Sequence, residues 1–378
     1  MSLAHRKLSI VADENIPGIA AMFARFGAIQ QVDGRSLTPE GLQGVDVLLV
    51  RSVTKVTRQL LVQSSVKFVG SATIGTDHID TQYLAANNIA FSSAPGCNAD
   101  AVVEYDLCCI TQLLDLSNRQ LKDLTVAIVG VGNVGRRVAD RLTRVGVKKI
   151  LLNDPPRAKF EQGFVSLEEC LSSADIILLH TPLLTTGPWP TKHLLNKSNL
   201  KLLKKDAILL NAGRGPVIKG ADLCHFLVTR SDIKVVLDVW EAEPVVDHAL
   251  ANLVAIATPH IAGYSLEGKL RGTYMLKVAL AKWLGLEVTE SLNEYLPKPA
   301  IESVEIAESA DPLSIMRLLY DPLIDDRALR ATLGLDNQAE AFDLLRKNYP
   351  IRREFNALTI KGDLDCLVAQ YLKNLGFA

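Results

Sequence analysis

The sequence has no surplus of either charge. Its 41 Lys and Arg residues stand against 42 Asp and Glu, a formal net charge of -1 over 378 residues. A chain so balanced has no global basic field, so neither nucleic acid nor an anionic membrane surface is expected as a partner. A local basic pocket for a small anion remains compatible with it. Cysteine is sparse and unpaired in pattern. Cys97, Cys108, Cys109, Cys170, Cys224 and Cys366 are scattered, and none forms a C-x-x-C pair. Without a secretory signal they read as reduced packing thiols of a cytoplasmic protein. No metal is expected. No apolar run is long enough to span a bilayer, and the opening stretch MSLAHRKLSIVADEN has no apolar signal core ahead of its first strand. There is no internal repeat and no low-complexity tract.

What is present is length, with 48% hydrophobic residues. A chain of this size exceeds one ordinary core, so two or three domains are expected. Short β-rich runs alternate with helical stretches. The first series of expected strands is Leu8–Ala12, Val47–Val50, Lys67–Gly70 and Ala90–Ser92. The second is Val126–Val129, Ile150–Asn153, Ile176–Leu179, Ala207–Asn211, Val235–Val239 and Val254–Ala257. These runs are nearly continuous in apolar residues, as suits parallel strands buried on both faces. Strand–helix alternation implies βαβ units and doubly wound sheets. Asn98–Leu116 reads as a long helix entering the second domain, and Leu266–Leu284 as a helix returning to the first. Leu292–Ala300, with Pro297 and Pro299, looks like a linker. Residues from about 301 onward form a further unit, because Ile315–Tyr320, Phe342–Leu345 and Leu364–Leu372 carry enough apolar residues to pack.

The strand Val126–Val129 runs into Gly130-Val131-Gly132-Asn133-Val134-Gly135. Gly130 permits a tight turn, Gly132 lets a pyrophosphate approach the backbone, and Gly135 allows close helix–strand packing. The following helix N-terminus offers N–H groups to phosphates. Asp154 ends the next strand, where a carboxylate accepts hydrogen bonds from ribose hydroxyls and repels a 2′-phosphate. Strand, glycine loop, helix and acidic strand end together point to NAD rather than NADP, with Arg157 nearby as the one residue that could meet a 2′-phosphate.

Three later segments end strands where an open α/β sheet binds ligands: Asn211-Ala-Gly-Arg214-Gly, Asp238-Val-Trp-Glu-Ala-Glu243-Pro and Thr258-Pro-His260-Ile-Ala-Gly263. Arg214 is suited to pair with a carboxylate. His260 is suited to remove a hydroxyl proton as hydride leaves the same carbon. Glu243 is suited to hold the imidazole in place and raise its basicity. Singly, each has an ordinary reading: a surface ion pair, a packing or surface histidine, a turn glutamate before proline. His5, His193, His225 and His248 are read as such ordinary surface residues. The three together, downstream of a dinucleotide loop, are hard to explain by chance.

In order, G-x-G-x-x-G, N-A-G-R-G, D-V-W-E-x-E-P and T-P-H-I-A-G resemble the D-isomer-specific 2-hydroxyacid dehydrogenases over about residues 8–285. The resemblance implies a catalytic set of Arg214, Glu243 and His260. It also implies NAD contacts at Gly130, Gly132, Asn133, Val134, Gly135, Asp154, Thr181, Ala212, Gly213, Arg214, Asp238 and Gly263. The segments Val11–Asn15, Val50–Lys55, Gly75–Asp80, Ala94–Asn98 and Ile261–Ser265, with Arg346–Tyr349 and Arg352–Glu354, resemble a branch of this family that oxidises a phosphorylated 2-hydroxy acid. Glycine at position 213 departs from the cysteine expected in that branch. By resemblance, Ser52, Thr73 and Tyr264 contact substrate, with Arg51 as a further candidate. The bolder expectation is that Arg352 or Arg353 holds the substrate phosphate, in its own subunit or in a partner's.

The fold so implied is α/β. A flavodoxin-like substrate domain covers residues 1–98, with the helix of 265–290 returning to it. A Rossmann NAD domain covers 99–264, and a C-terminal α+β homodimerisation domain covers 291–378. Two alternatives stay open. One is another family member, such as a 3-phosphoglycerate dehydrogenase or a hydroxypyruvate reductase. The other is an NAD(H)-sensing binding protein on the same fold.

Overall fold

The computed structural model describes residues 6–117, 119–307 and 311–378, so His5 lies outside the described residues. The chain forms two units, Met1–Asn98 with Ser265–Lys298, and Ala99–Tyr264 with Pro299–Ala378.

The first unit is built on a parallel sheet of β1 (Leu8–Asp13), β2 (Gly27–Val32), β3 (Val47–Val50), β4 (Phe68–Ser71) and β5 (Ala90–Ser92), in the order β2-β1-β3-β4-β5. This is the flavodoxin-like order. β3 and β4 are buried along their whole length, as both-face coverage demands. The helix Leu266–Leu284 lays Leu270, Leu276, Leu280 and Ala281 on one face of the sheet, against Ile10, Ala12, Val47, Leu49 and Phe68. Ser265 caps it, its hydroxyl accepting from the Gly268 N–H at 2.9 Å. Leu292, Tyr295 and Leu296 join the same apolar cluster. The stretch expected to open the C-terminal domain therefore groups with the first unit instead.

In the second unit β6 (Thr125–Val129), β7 (Lys149–Asn153), β8 (Ile176–Leu179), β9 (Ile208–Asn211), β10 (Lys234–Leu237) and β11 (Ile256–Ala257) form a parallel sheet in the order β11-β10-β9-β8-β6-β7. Beyond β7 a single parallel bridge, Leu152 to Phe164, occupies the place of one more strand. With it the order is that of the Rossmann fold, its third strand reduced to one bridge. The order reverses between β6 and β8, which makes their carboxyl ends the topological switch point. The helix Ala99–Asp115 is buried over nearly all its length.

Residues 299–378 add β12 (Ser303–Glu305) and β13 (Thr359–Lys361), a parallel pair, and the helices Pro312–Arg317, Pro322–Arg330, Gln338–Lys347 and Cys366–Leu375. They do not close a core of their own. Leu313, Ile315, Met316, Tyr320, Phe355, Leu358, Leu372, Leu375 and Phe377 share one cluster with Val126, Ile128, Leu142 and Ile176 of the Rossmann sheet and its helix. Phe342 and Leu329 join the cluster on the sheet's other side. The expected separate third domain is thus fused to the second, because its apolar faces are covered by dinucleotide-domain residues. Among the described residues no helix is long and apolar enough to cross a membrane.

Candidate active site

The glycine loop lies at the switch point. Gly130 takes φ 89°, and a Cβ there would stand 2.7 Å from the His180 carbonyl carbon and the Thr181 nitrogen. A Cβ on Gly135 would come within 2.1 Å of the Gly130 oxygen. A Cβ on Gly132 would meet nothing within 4 Å, and no side chain caps the helix Asn133–Arg144 that starts beside it. Two glycines are thus required by packing, while the third leaves uncapped helix amides facing open space, the arrangement a pyrophosphate needs. The buried Thr181 hydroxyl has no hydrogen-bond partner among the described residues. These features fit a dinucleotide.

Asp154 reaches back to this loop. Its Oδ2 accepts from the Val131 N–H at 2.9 Å, and its Oδ1 accepts from the Arg157 N–H at 3.2 Å. Arg157 is occupied elsewhere. It donates to the Val131 carbonyl at 2.7 Å and to both oxygens of Glu161, at 2.9 and 2.5 Å. Its fork is already matched by a carboxylate, which leaves the acidic side of this strand end to Asp154.

Arg214 follows β9, half-buried, with an Nη donating to the Gly213 carbonyl at 2.8 Å. A Cβ on Gly215 would stand 1.9 Å from the Trp240 oxygen, so glycine lets this loop press on the one that carries Glu243. Gly213 is also tight. A Cβ there would lie 3.1 Å from the Leu179 and Thr181 oxygens, so cysteine at this position would require the ends of β8 to give way. Glu243 accepts from the Trp240 N–H through Oε1 at 2.7 Å and meets His260 Nδ1 through Oε2 at 2.7 Å. Burial pushes the Glu243 carboxyl up. The charge and hydrogen bond of His260, the Trp240 N–H and the Arg346 guanidinium outweigh it, and the group lies below its ordinary value. With Nδ1 turned to a carboxylate, the ring carries its proton there and leaves Nε2 as a base. His260 itself has φ 58°, a left-handed conformation costly for a side chain of this kind.

Asp238 holds that conformation. It is buried, and its Oδ1 accepts from the Thr258 hydroxyl (2.7 Å) and the Ile261 N–H (2.8 Å), its Oδ2 from the Ala262 N–H (3.0 Å). Its own carbonyl accepts from the His260 N–H at 2.7 Å. Tyr105 meets the Thr258 hydroxyl at 2.8 Å, and the Trp240 indole donates to the Thr258 carbonyl at 3.0 Å. The residue expected as an NAD contact thus also fixes the loop that presents His260.

The sequence reading missed a second acid–histidine pair. His180 Nε2 lies 2.9 Å from Asp106 Oδ2 with both side chains 1% exposed, although the pair is not aligned as a hydrogen bond. Burial raises the Asp106 carboxyl, and His180 offsets part of that rise. Only position betrayed it, since His180 is the residue between β8 and Thr181. His193, read as an ordinary surface residue, bonds Glu241 at 2.5 Å, and Glu241 also accepts from the Gly220 N–H.

The expected substrate contacts are divided. Arg51, Ser52 and Thr73 belong to the first unit and Tyr264 to the second. The Thr73 hydroxyl is 2.7 Å from that of Ser71, which lies 2.9 Å from His78 Nε2. Burial first, and the Arg51 guanidinium second, push Lys269 down to about 8. Two cations are thus held close in the first unit. The expectation for Arg352 needs correction. This residue is 4% exposed, donates to the Ala262 and Ala101 carbonyls at 3.1 and 2.7 Å, and lies 3.9 Å over the Tyr320 ring. A guanidinium so enclosed has no face left for a substrate phosphate. Arg353 is half-buried and already has a partner within the chain.

Residues 108–262 match the family model described as D-isomer specific 2-hydroxyacid dehydrogenase, NAD binding domain, and residues 295–376 match a domain of unknown function, DUF3410. The chain is 46% identical over 371 residues to the erythronate-4-phosphate dehydrogenase of Stutzerimonas stutzeri, covering 96% of this chain and 97% of that one. It is 48% identical over 359 residues to the enzyme of the same name from Pseudomonas putida strain W619, covering 93% and 94%. Among solved structures, the NAD+-bound 3-phosphoglycerate dehydrogenase of Entamoeba histolytica superposes with a TM-score of 0.61 at 22% identity, over 75% of this chain and 99% of that one, a likeness of fold. With the dehydrogenase motifs in place and identity of this order over nearly its whole length, the chain belongs to the erythronate-4-phosphate dehydrogenases, within the D-isomer specific 2-hydroxyacid dehydrogenase family.

Proposed function

We propose that the chain oxidises 4-phospho-D-erythronate at C2 with NAD, giving (R)-3-hydroxy-2-oxo-4-phosphooxybutanoate, a step of pyridoxal 5′-phosphate biosynthesis. The observation that carries this reading is the near-full-length identity to enzymes of that name, C-terminal segment included. The geometry supplies the chemistry. Arg214 pairs with the C1 carboxylate and draws charge from the neighbouring carbon. His260 Nε2 takes the C2 hydroxyl proton. Glu243, 2.7 Å from Nδ1, stabilises the imidazolium that results. The glycine-loop amides hold the cofactor pyrophosphate and Asp154 the ribose. Bound NAD supplies acceptance of the C2 hydride.

The enzyme works as a cytoplasmic homodimer that pairs through its C-terminal segment. Six cysteines without a disulfide suit a reducing compartment. The segment leaves Ile301, Leu318, Ile324, Leu335, Leu344, Ile351 and Leu367 exposed, Ile351 at 79% and Leu367 at 77%. Truncation would strip the Rossmann core, so point changes are the proper test. Ile351→Glu with Leu367→Glu should sediment as a monomer, and a persistent dimer would refute this interface. The reaction is tested by NADH formation against 4-phospho-D-erythronate, 3-phosphoglycerate and glycerate. The first should give the highest kcat/KM, and faster turnover of either other acid would overturn the assignment.

A further inference from the structure

The oxidised substrate carries two anionic groups, and Arg214 accounts for one. The other arginines of the C-terminal segment that stand near the His260 loop are spent. Arg352 gives both Nη groups to carbonyls and, although its Nε is buried without a partner too, it is enclosed at 4% exposure, while Arg330 donates to Asp326 and to the Ala251 and Val254 carbonyls. Arg346 differs. It sits in the last turn of the helix Gln338–Lys347, with its guanidinium carbon 5.6 Å from the Tyr264 ring centre and 5.9 Å from that of Phe342. Its Nε is buried and has no hydrogen-bond partner among the described residues. The guanidinium lies over Tyr264, four residues past His260, and its charge is the smallest of the influences that hold the Glu243 carboxyl down. Tyr264 is in turn fixed edge-on by Tyr349, with ring centres 5.6 Å apart. The result is a guanidinium with two aromatic rings close by and a buried Nε that no described residue accepts from. A helix-end cation alone would not need this, since Lys347 next to it is exposed and serves that role.

We propose that Arg346 binds the 4-phosphate of the substrate, from the same subunit as His260, and so sets the preference of this enzyme for a phosphorylated acid. The inference rests on the reaction proposed above. Two oxygens of a phosphate match the fork of a guanidinium, and the rings of Tyr264 and Phe342 restrict where that fork can lie before substrate arrives. In this arrangement the C-terminal segment, whose family model records no function, supplies part of the substrate site in cis.

The test compares wild type with Arg346→Met and Arg346→Lys on 4-phospho-D-erythronate and on D-erythronate, the latter as substrate or as competitive inhibitor where turnover is slow. Loss of one charge-assisted contact of about 1.5–3 kcal/mol corresponds to a roughly 10- to 150-fold rise in KM. Arg346→Met should show that rise for the phosphorylated substrate, with kcat changed little. Binding of D-erythronate should change less than about twofold. Arg346→Lys should fall between, because it keeps charge and loses the fork. Equal losses on both substrates, or a shifted pH profile of kcat with KM unchanged, would overturn the assignment and leave Arg346 as a support for Glu243 or Tyr264. Wild-type failure to oxidise 4-phospho-D-erythronate would instead remove the parent reading and this inference with it. Thermal melting of both variants shows whether they fold.

Discussion

Replacing Arg352 with methionine tests whether the C-terminal segment braces the acid–base loop. The arginine spans the junction between that segment and the dinucleotide core. One Nη donates to the carbonyl of Ala262, two residues past His260, and the other to the carbonyl of Ala101 in the buried helix. Methionine fills much of the volume but donates nothing. Both carbonyls then lose this donor, at about 1–3 kcal/mol each, with Ala101 at the low end because its carbonyl also belongs to the helix Ala99–Asp115. The cation–ring contact with Tyr320 goes as well, at about 2 kcal/mol when desolvated. Relief of the guanidinium's own desolvation offsets part of the sum, leaving a net loss of about 3–5 kcal/mol. For a unit of this size, about 2–4 °C of Tm per kcal/mol predicts a fall of roughly 6–20 °C. Differential scanning calorimetry with and without NADH would measure it. Activity should fall through kcat on 4-phospho-D-erythronate and D-erythronate alike, because a loosened loop misplaces His260 rather than the phosphate. A Tm within 2 °C of wild type, or a loss confined to the phosphorylated substrate, would refute the reasoning.

His260→Ala should lower kcat by about 100- to 10,000-fold while NADH binding by fluorescence titration stays near wild type. Glu243→Gln should cut kcat and move the acid limb of its pH profile to lower pH, because a neutral amide stabilises imidazolium less, and an unmoved limb would count against the pairing. Asp154→Ala should weaken NAD and raise relative use of NADP, so an unchanged ratio of the two kcat/KM values would exclude its role. Glu104 is raised well above its ordinary value by burial first and by Glu354 second. A carboxyl raised on folding contributes stability that is full below its unfolded value and is lost as pH climbs through the folded one. Glu104→Gln keeps an acceptor for the Phe355 N–H and removes that titration. Its Tm relative to wild type should therefore rise from acidic to alkaline pH, and a constant difference would show that folding does not raise the Glu104 carboxyl.

The two sheets were legible because buried parallel strands announce themselves as short apolar runs, and Ile176–Leu179 and Val47–Val50 are just that. β2 was not, because its sequence, Gly-Ala-Ile-Gln-Gln-Val, is an edge strand with no fully buried residue. The strand place taken by the Leu152–Phe164 bridge left even less signal. Arg214, Glu243 and His260 could be picked out since each closes a strand within a recognisable run. Asp106 and His180 could not, being separated by a whole βαβ unit and joined only by the fold. For the C-terminal segment, apolar content foretells packing but not its destination, so the sequence cannot tell that Arg352 is a brace and not a ligand group. Arg346 carries no signal of its own, because nothing in a helical Leu-Leu-Arg-Lys distinguishes a guanidinium beside two aromatic rings from a solvated one.

The first unit is discontinuous, and that shapes how it can be made. Its sheet is complete at Ser92, yet the helix that covers Ile10, Ala12, Val47, Leu49 and Phe68 ends only at Leu284. Roughly 190 residues separate the two, so at about 5–20 residues per second a ribosome needs some 10–40 s between them. Through that interval the nascent sheet shows an oily face while the dinucleotide domain emerges behind it. The N-terminal strands must wait for the chain to come back, and this window is where a chaperone would engage the growing polypeptide and where slowed synthesis would lead to aggregation.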